Sequence, residues 1–311
     1  MSELRKALEE YLAVRRTLGF ELREVGSLLR SFVSFLEQHR ASHITTELAL
    51  CWAKQPLKVQ PAHWARRLGI VRAFAQHQAA VDPRTEIPPQ GLLPHRYLRR
   101  APYVYSNREI ACLIAATRAL PSAVGLRPCT YSTLFALIAV TGMRISEPIG
   151  LDRDDVDLAR GVLTIRQAKF GKSRLIPIHS STGRALRHYA GLRDQIHPKP
   201  KTPSFFVSDR GQRLTGWMVR KTFVKLSCRI GLRGPSDSRG PRLHDLRHRF
   251  AVRTLLRWYR AGVDVDRHMP ELATYLGHAH ASDTYWYLSA VPELLRSATM
   301  RLERPEGGQR P

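Results

Sequence analysis

Five prolines lie between residues 83 and 102, and they constrain the fold more than any other feature of this sequence. Proline lacks a backbone N–H and clashes with the preceding helical turn, so a segment this rich in it stays extended. The same segment is basic, because it also carries Arg84, Arg96, Arg99 and Arg100. We therefore expect a linker over residues 83–103. It separates a first domain, residues 1–82, from a second, residues 104–303, and a flexible tail follows at residues 304–311.

The first 82 residues show the apolar spacing of α-helices. Leu4, Leu8 and Leu12 recur on one helix face, and Gly19 is a suitable stop. A second apolar stripe follows, and shorter helices are predicted around Trp52 and after Trp64. This pattern predicts an all-α first domain.

The second domain is predicted to begin with a helix and to contain one pair of strands. Ser106 followed by Glu109 fits a capping box. Residues 162–165 and 175–178 are short β-branched runs on either side of a turn that contains Gly171, as in a β-hairpin. Since the remaining apolar residues have helical spacing, the fold class is predicted to be mainly α with a small β-sheet, with an α+β second domain.

Charge limits the partners of this chain. Its 311 residues include 50 Lys and Arg against 26 Asp and Glu, a formal net charge of +24. Such an excess indicates a polyanionic partner, nucleic acid first and an acidic membrane surface second. The longest apolar run, residues 134–140, is too short to span a bilayer, and residues 1–6 carry mixed charge, unlike a signal sequence. We expect a soluble, cytoplasmic protein that is associated with nucleic acid.

The cysteines predict neither a metal module nor a disulfide framework. Cys51, Cys112, Cys129 and Cys228 are scattered and form no C-x-x-C pair. We interpret them as reduced thiols in the core.

Four segments of the second domain place cations or titratable groups beside a glycine, a turn or a helix start. Residues 141–147 read T-G-M-R-I-S-E, in which an Arg and a Glu three residues apart also fit a simple ion pair. Lys169 lies at the turn of the hairpin, where a lysine is usually just solvated. Each of these two segments is weak alone.

The other two segments add histidines and a tyrosine. Residues 244–248 read H-D-L-R-H at a predicted helix start, where backbone N–H groups favour an anion. His244 and His248 have the spacing of a metal pair, but the glutamate of H-E-x-x-H is missing, so we predict no metal site. Residues 276–278 read L-G-H, and Tyr287 follows nine residues after His278. These cations, histidines and tyrosine are suited to attack on a phosphodiester without a metal.

In motif order, these segments resemble the tyrosine recombinase family, which includes the phage integrases and the Xer-type recombinases. The resemblance covers the whole second domain: T-G-M-R-I-S-E, the hairpin K-x-x-K-x-R-L-I-P-I, H-D-L-R-H, L-G-H and then Y. It implies a two-domain, Xer-like enzyme, with a helical core DNA-binding domain and a catalytic domain that ends in an exchange helix.

The resemblance also implies an activity: site-specific recombination or integration for a mobile element or in an Xer-like role. DNA would be cut and rejoined through a 3′-phosphotyrosine, without metal, ATP or any cofactor. The implied partners are double-stranded DNA and further copies of the chain, in a tetramer on paired sites. Helper proteins are left open. By the same resemblance Tyr287 is the nucleophile, Glu147 is a supporting acid, and the activating set is Arg144, Lys169, His244, Arg247 and His278.

Physical chemistry gives these residue types the same tasks. An attacked phosphodiester gains negative charge, which bidentate guanidinium groups match in geometry. A tyrosine with a pKa near 10 needs nearby cations or a histidine acceptor, which His244 or His278 would supply. The departing 5′ oxygen needs a proton, and a lysine on a turn can deliver it. Arg96, Arg99 and Arg100 of the linker are candidate DNA contacts.

Several alternatives stay open at this point. Spacing favours Lys169 over Lys172 as the acid, and the distance from His278 favours Tyr287 over Tyr285 as the nucleophile. Pro148 departs from the family pattern and is expected to bend the helix that bears Arg144.

Two other functions also stay open. A type IB topoisomerase uses similar groups, and a non-catalytic DNA-binding regulator with the same fold is a third hypothesis. The last helix, with Leu294, Leu295 and Met300, favours a recombinase that assembles as a tetramer.

Overall fold

The computed structural model describes residues 2–99, 101–166, 173–234, 236–237 and 240–302. The chain divides into two compact units, and the division lies between Arg100 and Ala101. Each unit has its own hydrophobic core, and each is described by itself below.

The first unit consists of four helices: α1 (Glu3–Thr17), α2 (Arg23–Gln38), α3 (Thr46–Lys54) and α4 (Pro61–Gln78). Two begin at side-chain caps, since the Ser2 and Thr45 side chains accept hydrogen bonds from the backbone of the first turn. Their apolar faces meet around Trp52, which is fully buried and packs against Phe32. The prediction of an all-α unit is confirmed.

Part of the proline-rich segment packs onto this first unit. The guanidinium of Arg72 donates hydrogen bonds of 2.6 and 2.7 Å to the carbonyls of Pro88 and Pro89. Glu86 N–H donates to Ile44 O at 2.8 Å, and Leu93 is buried in the core of the unit. Among the described residues of the segment, 83–99 and 101–103, none lies in a helix or a strand. Gln60 also exchanges hydrogen bonds of 3.2 and 3.1 Å with the backbone of Leu98, so the segment is anchored to the helical unit as far as residue 98.

The second unit is mainly helical with one three-stranded antiparallel sheet of order β1-β2-β3, which confirms the predicted fold class. Its elements are α5 (Asn107–Ala116), α6 (Leu126–Thr141), α7 (Ser146–Gly150), β1 (Val156–Asp157), β2 (Val162–Ile165), β3 (Arg174–Pro177), α8 (Ser180–Ile196), α9 (Gly216–Arg229), α10 (Asp245–Arg260), α11 (Val265–Leu276), α12 (Ser282–Ala290) and α13 (Pro292–Leu302). One-turn 3-10 helices cover Thr117–Ala119 and Arg153–Asp155.

The predicted hairpin is present, one residue earlier in its second strand than expected. In β2 and β3, Ile165 pairs with Arg174 and Val162 pairs with Pro177. Pro177 cannot donate to the ladder and so lies at the end of its strand. The short strand β1 was not predicted, because two residues give no periodic signal.

Helix α10 is the central element of the second unit. It packs against α6, α11, α12 and α13. Its Arg249 also donates to the carbonyl of Tyr105 at 2.6 Å, just before the capping box of Ser106 and Glu109 that opens α5 as predicted. Helix α10 is therefore fixed by contacts with several other elements of the second unit.

Two expectations need correction. The cysteines are free but do not lie in the core, since Cys51 and Cys112 are exposed and the other two are partly buried. A cysteine is small enough to be accommodated on the buried or the exposed face of a helix, so composition alone does not place it.

Pro148 does not bend a helix that bears Arg144, because α6 ends at Thr141 and Arg144 lies in the connection to α7. Pro148 falls in the first turn of α7, where an amide has no helical partner to lose.

The final helix α13 packs within its own unit in this single chain. Leu294 is fully buried, and Val291 just before the helix is nearly so, in a cluster with Leu255 of α10. Leu295 is 55% exposed. The helix thus has one face covered by α10 and a neighbouring face open to solvent.

Candidate active site

Two helix ends with glycine caps bring the candidate residues together. Gly142 ends α6 and Gly277 ends α11, both in the left-handed conformation, with φ of 64° and 68°. A Cβ at Gly142 would lie 2.6 Å from the ring of Phe250, and one at Gly277 would lie 2.8 Å from Arg174 Nη1. Both positions therefore require glycine for conformation and for space.

Arg144 and Arg247 are anchored on the same turn of backbone. Arg144 Nη2 donates to the carbonyl of Gly277 at 2.6 Å, and Arg247 Nη2 donates to the carbonyl of Leu276 at 2.6 Å. Arg247 Nη1 also donates to the Gly142 carbonyl at 2.8 Å. Residues separated by about a hundred positions in the chain thus place two guanidinium groups on neighbouring carbonyl oxygens.

Glu147 lies between two arginines. Its carboxylate accepts from Arg144 Nη1 at 3.0 Å and from both Nη atoms of Arg174 at 3.0 and 2.9 Å. Burial alone would raise the pKa of Glu147, but the hydrogen bonds and charge of Arg174 outweigh it and lower the pKa. The carboxylate is therefore ionised and fixes both arginines.

Arg247 is a buried cation. Only 1% of its surface is exposed, and burial, followed by the charge of Arg144, lowers its pKa to about 10. It is still protonated at neutral pH. Around this point three guanidinium groups face one carboxylate, so the site keeps a net positive charge that suits an anion.

His244 lies at the start of α10. Its side chain is exposed by surface area but sits in crowded surroundings, where desolvation and the charges of Arg247 and Arg242 lower its pKa to about 4. Its ring lies edge-on to that of His248, with centroids 4.6 Å apart. Within the described ranges, no group of three ligand-type side chains is placed to hold a metal.

Tyr287 lies on α12 with its side chain directed into the unit. It is 1% exposed, and its phenolic oxygen lies 2.8 Å from His248 Nδ1. Tyr285 is 41% exposed on another side of the helix. The two tyrosines therefore differ in environment, and Tyr287 is the one near the arginines, since its charge acts on Arg247.

His278 directly follows the Gly277 turn. Its Nδ1 atom lies 2.7 Å from Thr284 Oγ1, and its ring is nearly parallel to that of Tyr287 with centroids 6.5 Å apart. The structure thus brings together six of the predicted residues: Arg144, Glu147, His244, Arg247, His278 and Tyr287.

The structure describes only part of the remaining predicted set. Lys169 and the alternative Lys172 lie outside the described residues, as does Arg100. Arg96 and Arg99 of the first unit are exposed.

Three contributors were missed by sequence reasoning. Arg174 was quoted in the hairpin motif without a role, His248 was considered only as a metal ligand, and Thr284 was not considered. The signal for His248 was its position beside Arg247 on a helix start. Its contact with Tyr287 spans 39 positions, which no local pattern reveals.

Comparison with known proteins decides the family. Residues 106–293 match the model of the phage integrase family. The integrase/recombinase y4rB of Sinorhizobium fredii is 51% identical over 308 residues, which cover 98% of each chain. The chain belongs to the phage integrase family. It is a site-specific tyrosine recombinase, as the motifs indicated.

Other members of the family agree. Tyrosine recombinase XerC of Herpetosiphon aurantiacus is 30% identical over 288 residues, 89% of this recombinase and 87% of that one. A lambda integrase tetramer solved on a Holliday junction has the same fold, with a TM-score of 0.58 and 18% identity over 89% of this recombinase and 78% of that chain. Among the described helices of this recombinase, none has the length and apolar character needed to cross a membrane.

Proposed function

We propose that this recombinase cuts and rejoins duplex DNA through a covalent bond between Tyr287 Oη and a 3′ phosphate. The observation that supports this most directly is that Tyr287 lies close enough to Arg247 for their charges to interact, while Arg247 and Arg144 are anchored on neighbouring carbonyls; the three residues come from separate parts of the second unit. The bond from the phenolic oxygen to phosphorus forms as the bond from phosphorus to the 5′ oxygen breaks.

The two arginines hold the scissile phosphate. In-line attack adds negative charge to the non-bridging oxygens, and guanidinium groups fixed beforehand stabilise that charge without reorganisation. Loss of one such donor removes roughly 3–4 kcal/mol of transition-state stabilisation, by analogy with oxyanion-hole variants. Glu147 acts through the arginines, because it holds Arg144 in place.

Proton transfer completes the step. The lysine of the hairpin, Lys169 or Lys172, protonates the departing 5′ oxygen. His244 and His278 donate hydrogen bonds to the phosphate, and the low pKa of His244 leaves it neutral at pH 7. The phosphotyrosine keeps the energy of the original ester, so a second 5′ hydroxyl can reverse the reaction without ATP.

We place the protein on DNA in the bacterial cytoplasm. Its net charge of +24 and the exposed Arg96 and Arg99 support phosphate contacts by the first unit and linker, residues 83–103. Assembly into a tetramer on paired sites is supported by the fold shared with the lambda integrase tetramer. In this proposal the domains are a DNA-binding domain, residues 1–82, and a catalytic domain, residues 104–303.

The test is capture of the covalent adduct. The full chain is expressed in bacteria whose DNA carries its target site, and covalent protein–DNA adducts are recovered under denaturing conditions. The attached DNA is then sequenced to identify the target site. A duplex of that site with a nick beside the cleavage position then serves as a suicide substrate. We expect a covalent band on a denaturing gel and a modified peptide that contains Tyr287.

Tyr285 provides the matched control. Tyr287→Phe should abolish the band while DNA binding persists, and Tyr285→Phe should leave the band unchanged. A band that survives in Tyr287→Phe would refute the assigned nucleophile.

A further inference from the structure

A histidine of the H-D-L-R-H segment, to which the resemblance assigns no role, contacts the proposed nucleophile. His248 Nδ1 on α10 lies 2.8 Å from the phenolic oxygen of Tyr287 on α12, within hydrogen-bonding distance. The ring of His248 also packs near His244 and Trp286, with centroids 4.6 and 5.7 Å away. The contact is thus held by a packed ring on the central helix of the unit, which limits the freedom of the side chain.

The other two histidines of the site are placed for different tasks. His278 uses its Nδ1 atom on Thr284, and its ring lies nearly parallel to the Tyr287 ring at a centroid distance of 6.5 Å. His244 lies at the amino-terminal end of α10, among the positive charges of Arg247, Arg242 and Arg144. That position suits contact with phosphate oxygens.

The nucleophile needs a proton acceptor. With an ordinary phenol pKa near 10, only about one tyrosine in a thousand is ionised at pH 7, so the proton has to leave as the bond to phosphorus forms. A neutral imidazole within about 3 Å meets the geometric requirement for a general base. The phenol can donate to Nδ1 when the proton of the neutral ring is on Nε2.

We propose that His248 is the general base for Tyr287, an inference that rests on the function proposed above. As Tyr287 Oη attacks, its proton passes to His248 Nδ1, the new bond to phosphorus forms, and the bond to the 5′ oxygen breaks with protonation by the hairpin lysine. In the reverse step a 5′ hydroxyl attacks the phosphotyrosine and gives its proton to the hairpin lysine, the bond from phosphorus to Tyr287 Oη breaks, and His248 returns the proton to the departing phenolic oxygen.

The decisive experiment separates a base from an acid. Full-length protein is mixed with the nicked duplex at saturating DNA concentration, and single-turnover cleavage is measured for a normal 5′ oxygen and for a 5′ bridging sulfur as leaving group. The 5′ sulfur departs as a thiolate without a proton. It therefore removes the need for the hairpin lysine as general acid but not the need for a general base at Tyr287. His248→Asn keeps a hydrogen-bond acceptor near the phenol but cannot carry the proton.

We expect His248→Asn to slow cleavage by about 100-fold or more with either leaving group, with little change in DNA affinity. Lys169→Ala and Lys172→Ala serve as acid controls, and the variant that removes the acid should recover with sulfur. His268→Asn, which removes a partly buried histidine paired with Glu271, should have no effect.

Two results would overturn the inference. Cleavage by His248→Asn within about threefold of wild type would show that the contact is not catalytic, and recovery with sulfur would assign His248 to the acid side. If His248→Asn does not fold, His248→Ala with added imidazole replaces it, and restored cleavage supports the base while a persistent deficit counts against it. Failure of the wild-type protein to form an adduct at Tyr287 would instead refute the proposed function.

Discussion

Arg174 donates hydrogen bonds of 3.0 and 2.9 Å from its two terminal nitrogens to the carboxylate of Glu147. This pair connects the second strand of the hairpin to the candidate active site. The Nε atom of Arg174 donates to the carbonyl of Tyr275 at 2.8 Å. Because Glu147 also holds Arg144, one carboxylate fixes the second strand of the hairpin, the Gly277 turn and an arginine that we propose binds phosphate relative to one another.

Glu147→Gln tests this connection. The amide leaves Arg144 and Arg174 without a counter-charge in a buried place, and breaking a buried pair typically costs about 3–5 kcal/mol. We expect lower thermal stability and at least a tenfold slower formation of the covalent adduct. Asp157→Asn, which removes an exposed pairing with Arg160, is the control and should change neither quantity. Equal behaviour of the two variants would contradict the role given to Glu147.

Arg247→Lys tests the geometry of phosphate binding. Lysine keeps the charge but cannot reach the carbonyls of Gly142 and Leu276 with a planar fork. We expect a loss of roughly 3–4 kcal/mol in transition-state stabilisation, a fall of about 100-fold or more in the single-turnover rate. Arg257→Lys, an exposed position on the same helix α10, should cleave at the wild-type rate. A wild-type rate in Arg247→Lys would show that charge alone is sufficient.

Gly277→Ala is expected to impair cleavage more than folding. The new Cβ would lie 2.8 Å from Arg174 Nη1 and 3.2 Å from Arg144 Nη1, so both guanidinium groups have to move. Gly262→Ala is a control with nearly the same φ of 70° and nothing within 4 Å, so it isolates the cost of the left-handed backbone, about 1–2 kcal/mol. Comparison of adduct rates and melting temperatures separates the two effects. Similar adduct rates in both variants would argue against a steric role of Gly277.

His244 should titrate far below an ordinary histidine. Desolvation and the neighbouring arginines lower its pKa to about 4, so the folded chain takes up this proton at lower pH than the unfolded chain, whose pKa is 6.5. This group therefore reduces the free energy of unfolding as the pH falls from 6.5 towards 4. Histidine NMR resonances of the DNA-free protein, assigned with His244→Gln, should show the low pKa, and bound DNA should raise it. An unshifted titration near 6.5 would contradict the electrostatics of the site.

The two leucines of α13 should separate stability from assembly. Leu294 is fully buried, so Leu294→Ala is expected to destabilise the second unit by about 2–5 kcal/mol. Leu295 is 55% exposed, so Leu295→Ala should leave the melting temperature unchanged but weaken assembly on paired sites. Sedimentation of protein with DNA carrying one or two sites measures the second effect. Unchanged assembly by Leu295→Ala would exclude this side chain from the contact between subunits.

Local signals in the sequence were sufficient for much of the fold. The capping box at Ser106, the two paired strands of the hairpin and the long helix after His244 depend on neighbouring residues, and each was predicted close to its observed place. The predicted turn at Gly171 lies outside the described residues. The membership of Arg144, Arg247 and Tyr287 in one site followed from the order of the motifs and not from local physics.

Contacts between distant segments were not predictable in the same way. The bond from His248 to Tyr287 depends on how α10 and α12 pack, and the role of Arg174 depends on the approach of the hairpin to the Gly277 turn. The burial of Leu93 was hidden for a similar reason, because the proline content shows that the segment is extended but not that it packs against helices.

The attachment of Arg247 to the carbonyls of Gly142 and Leu276 has an electrostatic consequence. A carbonyl dipole orients a guanidinium group without cancelling its charge, whereas a carboxylate would do both. The protein thus keeps one cation rigid and largely uncompensated, and in the proposed reaction the DNA strand itself supplies the counter-ion at the place where it is to be broken.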